Sequence, residues 1–494
     1  MTTTLDDLVR DKPAPAALSE RDVARELTSA PPIRWIVLDD DPTGTQSVRG
    51  LPVLTRWKAE DFLWAFETGC PAIYVQTNAR SLEPRAAASV MRDVVTTAAT
   101  TASAAGLDIE VVSRTDSTLR GHFPLDIDVI DEALADSASS PHSPDAVIVL
   151  PAFPDAGRVT IDGIHYVCSS DGSATPAAST PLAQDATFGY RNSELRAWVE
   201  EKSGGAIRED DVVHLSLPTI RDGVAAVVEA LADLTGGRWV TADVVTEADM
   251  QVLAAALHKR RAAGATFVYR VGPPFVRALI AQPVAEPLGL SELEEITAAN
   301  APSGRGGMIV VGSHVPMTTR QLAVLTARGD CRDVEIDVRA LLASSLDDAV
   351  DAAVAAAVDG LHQGHVVVST SRDVIRGIDE DDSLRIARRV SAALVRFTQR
   401  VVELCPPSFI IAKGGITSSD VATQGLGIKR ALVRGPMLPG IVSLWESVDG
   451  DIAGLPFVVF AGNVGDDASL REVVDRLSQV QQSAAHPTTV VTAE

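Results

Sequence analysis

From residue 33 onward the chain alternates between short β-branched apolar runs that stop at polar residues and longer stretches with helical periodicity. The first run, Ile33-Arg34-Trp35-Ile36-Val37, leads into Leu38-Asp39-Asp40-Asp41-Pro42-Thr43-Gly44-Thr45-Gln46. Apolar residues giving way to carboxylates, Pro and Gly predict a buried parallel strand whose C-terminal end opens into a loop. The design recurs at Ala72 to Arg80, before a helix over Glu83 to Thr100, and again at Ile109 to His122 and Ala146 to Arg158. Four strands that end in hydroxyl, carboxylate or Arg groups predict one polar sheet edge, the place where open α/β sheets bind ligands. An amphipathic segment, Ser19 to Leu27, precedes the series as a helix packed on its outside, and residues 136–145 and 169–180 read as loops. A helix from Ser193 to Lys202, capped by Ser193, and strands at Val212 to Leu217, Trp239 to Val245 and Thr266 to Phe275 complete it.

Between Gln282 and Gly307 the periodicity lapses while Pro, Ala, Ser and Gly accumulate, which predicts a domain boundary. A second series follows: strand Met308 to Gly312, helix Thr318 to Arg328, strand Asp333 to Val338, helix Leu346 to Gln363, strand His365 to Thr370. A helix from Asp382 to Leu404 and strands at Ser408 to Ala412 and Phe457 to Phe460 continue it. The predicted architecture is α/β in two domains, each a largely parallel sheet flanked by helices, with an active-site cleft between them. Its divisions are an N-terminal extension at 1–30, domains at 31–295 and 305–480, and a polar tail at 481–494 expected to fray. Two or three domains suit 494 residues, since single cores rarely grow past about 250 to 300 residues.

Lys and Arg number 43 against 66 Asp and Glu, a net charge of −23, which argues against nucleic-acid or anionic-membrane partners. Any anionic ligand must then be held by placed cations or backbone N–H groups working against the overall field. Cys70, Cys168, Cys331 and Cys405 stand far apart with neither CxxC nor metal-ligand spacing, so neither a zinc site nor a disulfide framework is expected. The N-terminus lacks a basic-then-apolar leader and no apolar run approaches the roughly 18 residues of a membrane span. The expectation is a cytoplasmic protein.

Three adjacent carboxylates, Asp39 to Asp41, repel one another and need basic partners, a metal or a shared proton. The alternative is an acidic turn with Asp41 or Thr43 as N-cap. Arg114, Asp116, Ser117, Thr118, Arg120 and His122 place cations, a carboxylate and hydroxyls within a few residues. That density suits a small polyhydroxylated anion, because Arg holds a carboxylate bidentately; the alternative is an N-cap box followed by exposed charge. Arg158 reads as a second carboxylate clamp or as a brace for Asp155, while His122 and His165 read as structural hydrogen-bonders. In the second half, Lys413-Gly414-Gly415-Ile416-Thr417-Ser418-Ser419, Gly462-Asn463-Val464-Gly465 and Gly312-Ser313-His314 each set bare N–H groups and hydroxyls after a strand. That arrangement suits phosphate oxygens, although the GxxxxGK[ST] spacing is absent and a Gly pair is a common turn. Lys413 stands out because Lys is scarce beside Arg, with a helix-flanking charge as its alternative.

Seven segments in order, DDDPTGTQ at 39–46, RTDSTLRGH at 114–122, PAFPDAGRVTIDGIHYV at 151–167, FGYRNSELRAWVEEK at 188–202, VGSHVPMTTRQL at 311–322, KGGITSSD at 413–420 and FAGNVGDD at 460–467, resemble the four-carbon acid sugar kinases. The resemblance runs from about Ile33 to Leu477. It implies ATP-dependent phosphorylation of a tetronate, such as threonate, erythronate or a 3-oxo-tetronate, at its 4-hydroxyl, with an N-terminal sugar-acid domain and a C-terminal nucleotide domain. By motif it places Ser313, Gly414, Gly415, Ile416, Thr417 and Gly462 on ATP, and Asp40, Asp41, Arg114 and Asp116 in the substrate-side loops. The first loop departs from the family, where many relatives read DDxTGA followed by a carboxylate and this chain has Thr45-Gln46.

The reading is a kinase using ATP and Mg2+, with small-molecule partners and a homodimer left open. Its catalytic candidates are Asp41, Asp116 and Asp40, with Asp41 favoured because Pro42 holds it extended at the strand mouth. Substrate binding falls to Arg114, Ser117, Thr118, Arg120 and Arg158, nucleotide binding to Ser313, Lys413, Gly414, Gly415, Ile416, Thr417 and Gly462, and no metal-ligand set is assigned. The rivals are a metal-dependent phosphatase using Asp39, Asp40 and Asp41, and a non-catalytic sugar-acid-binding regulator.

Overall fold

The computed structural model describes residues 3–137, 144–169, 171–298, 306–327, 329–372, 375, 378, 380–450 and 452–485. The chain divides into two compact units, Met1–Val284 and Ala285–Glu494.

Strands of the first unit are β1 (Ile33–Asp39), β2 (Leu51–Leu54), β3 (Ala72–Gln76), β4 (Asp108–Arg114), β5 (Ala146–Leu150), β6 (Arg158–Ile161), β7 (Ile164–Cys168), β8 (Ala174–Pro176), β9 (Val213–Leu215), β10 (Arg238–Ala242) and β11 (Phe267–Val271). All but β6 to β8 form one parallel sheet in the order β2-β3-β1-β4-β11-β5-β10-β9. Their near-continuous apolar runs fit a sheet covered on both faces, and Ile36, Val37, Ile73, Tyr74, Val111 and Val112 are fully buried. One covering helix, Pro84–Ala104, opens on Pro at its first turn and buries Ala87, Met91, Val94, Val95, Ala98 and Ala102 at helical spacing.

The chain leaves β1 for β2 and β3 on one side and returns to β4 on the other, which makes the carboxyl end of β1 a topological switch point. The loops after β3, β1 and β4 are therefore neighbours. The expected fourth polar strand end, that of β5, is set apart because β11 inserts between β4 and β5.

Local order departs from the sequence reading where side chains found other partners. Within 169–180, read as loop, β8 joins β6 and β7 in a small antiparallel sheet. Its apolar face, Val159, Ile161, Tyr166 and Ala174, is covered by Leu5, Leu8 and Val9 of a short helix in the N-terminal extension. Ser193 is not a cap, because its hydroxyl accepts from Ala178 N at 2.9 Å; the helix Leu195–Lys202 is capped by Glu194, which accepts from Ala197 N at 2.7 Å.

The second unit holds β12 (Met308–Val311), β13 (Cys331–Ile336), β14 (His365–Thr370), β15 (Ile410–Lys413), β16 (Arg430–Leu438), β17 (Ile441–Ser447) and β18 (Pro456–Phe460). Their order is β13-β14-β12-β15-β18-β17-β16, parallel through β18 and antiparallel in the last two pairings. The carboxyl ends of β14, β12, β15 and β18 thus lie side by side. The stretch read as a domain boundary, 282–307, holds a helix, Leu290–Ala298, whose Leu293 and Ile296 are buried in the core of this unit. No helix among the described residues is long and apolar enough to cross a membrane.

Candidate active site

The parallel register of β1 with β4 sets Asp39 beside Arg114, and their side chains form a buried salt bridge. Arg114 also donates from Nη2 to the Asp41 carbonyl at 2.5 Å and stands 3.3 Å from Asp40 Oδ1. Gly44 lets the loop fold over this pair, since a Cβ there would collide with Asp39 Oδ1 and Arg114 Nε. Burial pushes the Asp39 carboxyl up to about 8 against the pull of Arg114. Burial also works against the Arg114 charge, but Asp39 and Asp40 outweigh it and hold that guanidinium above its ordinary value. At 2% exposure Arg114 does not offer the free guanidinium that its expected clamp on a substrate carboxylate requires.

Arg80, at the end of the β3 loop, holds Asp40 with two parallel bonds, Nε to Oδ2 at 3.0 Å and Nη2 to Oδ1 at 2.6 Å. Its Nη1 stands 3.5 Å from Asp41 Oδ2 and 4.0 Å from Asp116 Oδ1. Two guanidinium groups thus answer the repulsion of three consecutive carboxylates. Arg80 went unassigned in the sequence reading; its signal was its place just past the end of the strand that pairs with β1.

Asp41 lies in extended backbone before Pro42 and caps the 3-10 turn Pro42–Ser47, its Oδ1 accepting from Thr43 N at 2.9 Å. The capping alternative therefore holds for Oδ1, while among the described residues Oδ2 has Arg80 as its ion-pair partner. Asp116 is arranged alike: Oδ2 accepts from Arg120 Nε at 2.7 Å and from Thr118 Oγ1, and Oδ1 faces Arg80. Burial would raise both carboxyls, but Arg80 with Arg114 holds Asp41, and Arg80 with Arg120 holds Asp116, below the usual range. Both are ionised at neutral pH.

The loop carrying Ser117 and Thr118 is pinned from behind. Tyr190 donates to the Thr118 carbonyl at 2.8 Å, and buried His165 links the Ser117 carbonyl at 2.8 Å to Thr160 Oγ1 at 3.0 Å. Burial lowers His165 to about 4, so the ring is neutral and gives its single N–H to the Ser117 carbonyl. His122 meets the Ala79 and Leu82 carbonyls at 3.1 and 3.0 Å, so both histidines serve structure. Arg158 does not brace Asp155, which pairs with Arg277 at 3.2 Å. Its Nη1 bonds the Ala156 carbonyl, its Nε is buried without a partner, and no carboxylate among the described residues pairs with it.

In the second unit Ser313 N donates to the Lys413 carbonyl at 3.3 Å, and Gly414 N to the Phe460 carbonyl at 2.8 Å. Thr318 Oγ1 joins the Gly462 carbonyl at 2.9 Å to Ser313 Oγ at 3.0 Å, gathering the ends of β12 and β18. A Cβ on Gly462 would stand 2.5 Å from Ser313 Oγ, so a larger residue there would have to displace the Ser313 hydroxyl. Thr417 packs toward Gly414, and Ile416 is exposed on the first turn of the helix Gly415–Asp420. Lys413 is fully enclosed, with Nζ donating to the Ala461 carbonyl at 2.6 Å and lying 3.7 Å above the Phe460 ring. The expected direct contact of Lys413 with nucleotide therefore becomes a brace on the Ala461-Gly462 loop.

A family model described as a sugar-binding N-terminal domain matches residues 35–279, and one described as a nucleotide-binding C-terminal domain matches residues 308–470. The D-erythronate kinase of Heliobacterium modesticaldum is 25% identical over 479 residues, covering 92% of this chain and 99% of the relative. The chain belongs to the four-carbon acid sugar kinase family. The 3-oxo-tetronate kinase of Methylobacterium radiotolerans is 27% identical over 343 residues, covering 68% of this chain and 74% of the relative. A solved structure from Salmonella typhimurium LT2, at 19% identity, shares the fold with a TM-score of 0.64 over 89% of this chain and 98% of that one.

Among the described residues no group of three or more His, Cys, Asp or Glu side chains is placed to hold a metal ion. Asp39 Oδ1 is engaged by Arg114 and both Asp40 oxygens by Arg80, while Asp39 Oδ2 is buried without a hydrogen-bond partner; one orphan oxygen beside two guanidinium groups does not make a protein cage that a magnesium ion fits.

Proposed function

We propose that the chain is an ATP-dependent kinase acting on the 4-hydroxyl of a four-carbon acid sugar, of the threonate, erythronate and 3-oxo-tetronate class. The observation that best supports this is the strand-end cluster of the first unit. There, among the described residues, Asp41 and Asp116 each keep one oxygen whose charged neighbour is Arg80 Nη1, and the charge of Asp116 acts on a guanidinium, Arg158, with which no carboxylate pairs. In this reading Arg158, with Arg120, takes the substrate carboxylate in place of Arg114. Ser117 and Thr118 meet its hydroxyls, and Asp40 holds Arg80 in place. Asp41 or Asp116 orients the attacking hydroxyl and accepts its proton. A carboxyl of lowered pKa is a weak base, but phosphoryl transfer depends more on positioning and charge neutralisation than on base strength. Asp41 is favoured, its side chain being 22% exposed against 12% for Asp116.

Nucleotide binding is assigned to Ser313, Gly414, Gly415, Ile416, Thr417 and Gly462; the Ser313 and Gly414 N–H groups already bond the Lys413 and Phe460 carbonyls, so phosphate oxygens fall to the Ser313 and Thr417 hydroxyls and to the N–H groups that open the helix Gly415–Asp420. Magnesium would arrive with the nucleotide, held by phosphate oxygens and water. The phosphatase rival needs Asp39, Asp40 and Asp41 as metal ligands, and arginines occupy two of them. The test is ADP release by the purified chain with ATP and a panel of tetronates. ADP that appears only with a sugar acid is expected; tight binding without turnover, or hydrolysis of a phosphorylated acid without nucleotide, overturns the reading.

A further inference from the structure

The loop after β14 was not among the expected nucleotide loops, yet β14 is the parallel neighbour of β12 and its end carries Arg372. Arg372 donates from Nη1 to the Ser313 carbonyl at 2.9 Å and from Nη2 to Thr319 Oγ1 at 2.8 Å, while Nε is buried without a partner. A guanidinium has five N–H donors, so these two bonds leave most of its capacity unused. No carboxylate among the described residues pairs with it, and burial holds it below the ordinary arginine value. His314 follows Ser313 in sequence, with Nε2 3.2 Å from Thr370 Oγ1 and Nδ1 buried without a partner. Burial, and then the charge of Arg372, lower its pKa. The helix Pro316–Thr326 also begins here, and a cation at the positive end of a helix dipole is disfavoured. A guanidinium, an imidazole and a helix start meet without a negative partner among the described residues, in a chain of net charge −23.

We propose that Arg372, with His314 beside it, donates to phosphoryl oxygens of the nucleotide as the cationic arm of the Ser313 subsite. The assignment of ATP as that anion rests on the kinase reading above. The bond to the Ser313 carbonyl ties the guanidinium to the residue whose Oγ stands against Gly462, so the cation and the glycine loops serve one ligand.

The experiment is calorimetric titration of the full-length parent, Arg372→Gln and Arg372→Lys with ATP and with adenosine, alongside thermal unfolding of each protein. Gln can keep bonds to Ser313 and Thr319 while losing the charge. Arg372→Gln is expected to weaken ATP binding by at least about tenfold, the scale of a charged hydrogen bond, with adenosine binding and unfolding temperature unchanged and partial recovery in Arg372→Lys. If the Gln variant fails to fold, Arg372→Lys carries the comparison, with a smaller loss confined to ATP expected. Parental ATP affinity in the variant, or equal loss of ATP and adenosine, overturns the proposal. A parent that binds no ATP overturns the kinase reading and takes this proposal with it.

Discussion

Asp41 and Asp116 share one partner, Arg80 Nη1, at 3.5 and 4.0 Å, which leaves each with an oxygen that a substrate hydroxyl can engage. Asp41→Asn keeps the volume and removes the charge, so kcat is expected to fall roughly 10²-fold, the scale of general-base catalysis, with both ligands still bound. Steady-state kinetics decide the matter: if Asp41→Asn keeps near-parental kcat while Asp116→Asn loses it, Asp116 is the base. The two arginines separate by a different readout. Arg158→Ala is expected to raise the KM for the sugar acid by at least about tenfold and to leave that for ATP unchanged. Arg114→Ala removes the group that opposes burial at Asp39 and leaves a buried carboxyl without its partner, and a lowered unfolding temperature is its expected signature. An Arg114→Ala protein that unfolds like the parent but binds sugar acid poorly would return the clamp to Arg114.

At the scale of elements, the glycine loops depend on close packing rather than on charge alone. Gly462→Val would drive a branched side chain into Ser313 Oγ, and a raised KM for ATP with little change in that for the sugar acid is expected; an unchanged ATP KM would remove this loop from the nucleotide site. Lys413, beneath it, ordinarily titrates at 10.5 and burial brings it to about 7. Between those values the unfolded chain binds the proton and the folded chain does not, so this group makes stability rise with pH across that window. Its destabilising effect is fully present below it. Thermal unfolding of Lys413→Met over the same range should show a shallower rise than the parent, and parallel curves would mean that Lys413 keeps its charge.

The strands that carry both sites were legible because buried parallel strands read as apolar runs cut off by polar residues. Partnership was not, since it is set by strand order: Asp39 meets Arg114 only because β4 lies in register beside β1, and Arg80 enters only because β3 lies on the other side. The helix Leu290–Ala298 escaped notice amid surrounding Pro and Gly, and β16 and β17 alternate weakly around a register shift between Val433 and Gly435. The scarcity of Lys draws attention to Lys413 as a nucleotide contact, but only its burial over the Phe460 ring shows that its Nζ is taken by the Ala461 carbonyl.

For the whole molecule, the carboxylate–guanidinium cluster belongs to one compact unit and the glycine loops to the other, matching the sugar-binding and nucleotide-binding family models in sequence order. A net charge of −23 repels both a sugar acid and ATP, so the proposed roles of Arg158, which opens β6 in one unit, and of Arg372, just past β14 in the other, are to supply local positive charge against that field. Transfer between the two ligands has a direct chemical signature. Purified protein is incubated with ATP, magnesium and the tetronate that releases most ADP, and the product is read by phosphorus–proton correlation NMR. A phosphomonoester whose phosphorus couples to the protons on carbon 4, formed one-for-one with ADP, is the expected result; inorganic phosphate alone, or phosphorus coupled to the proton of another carbon, would contradict the account.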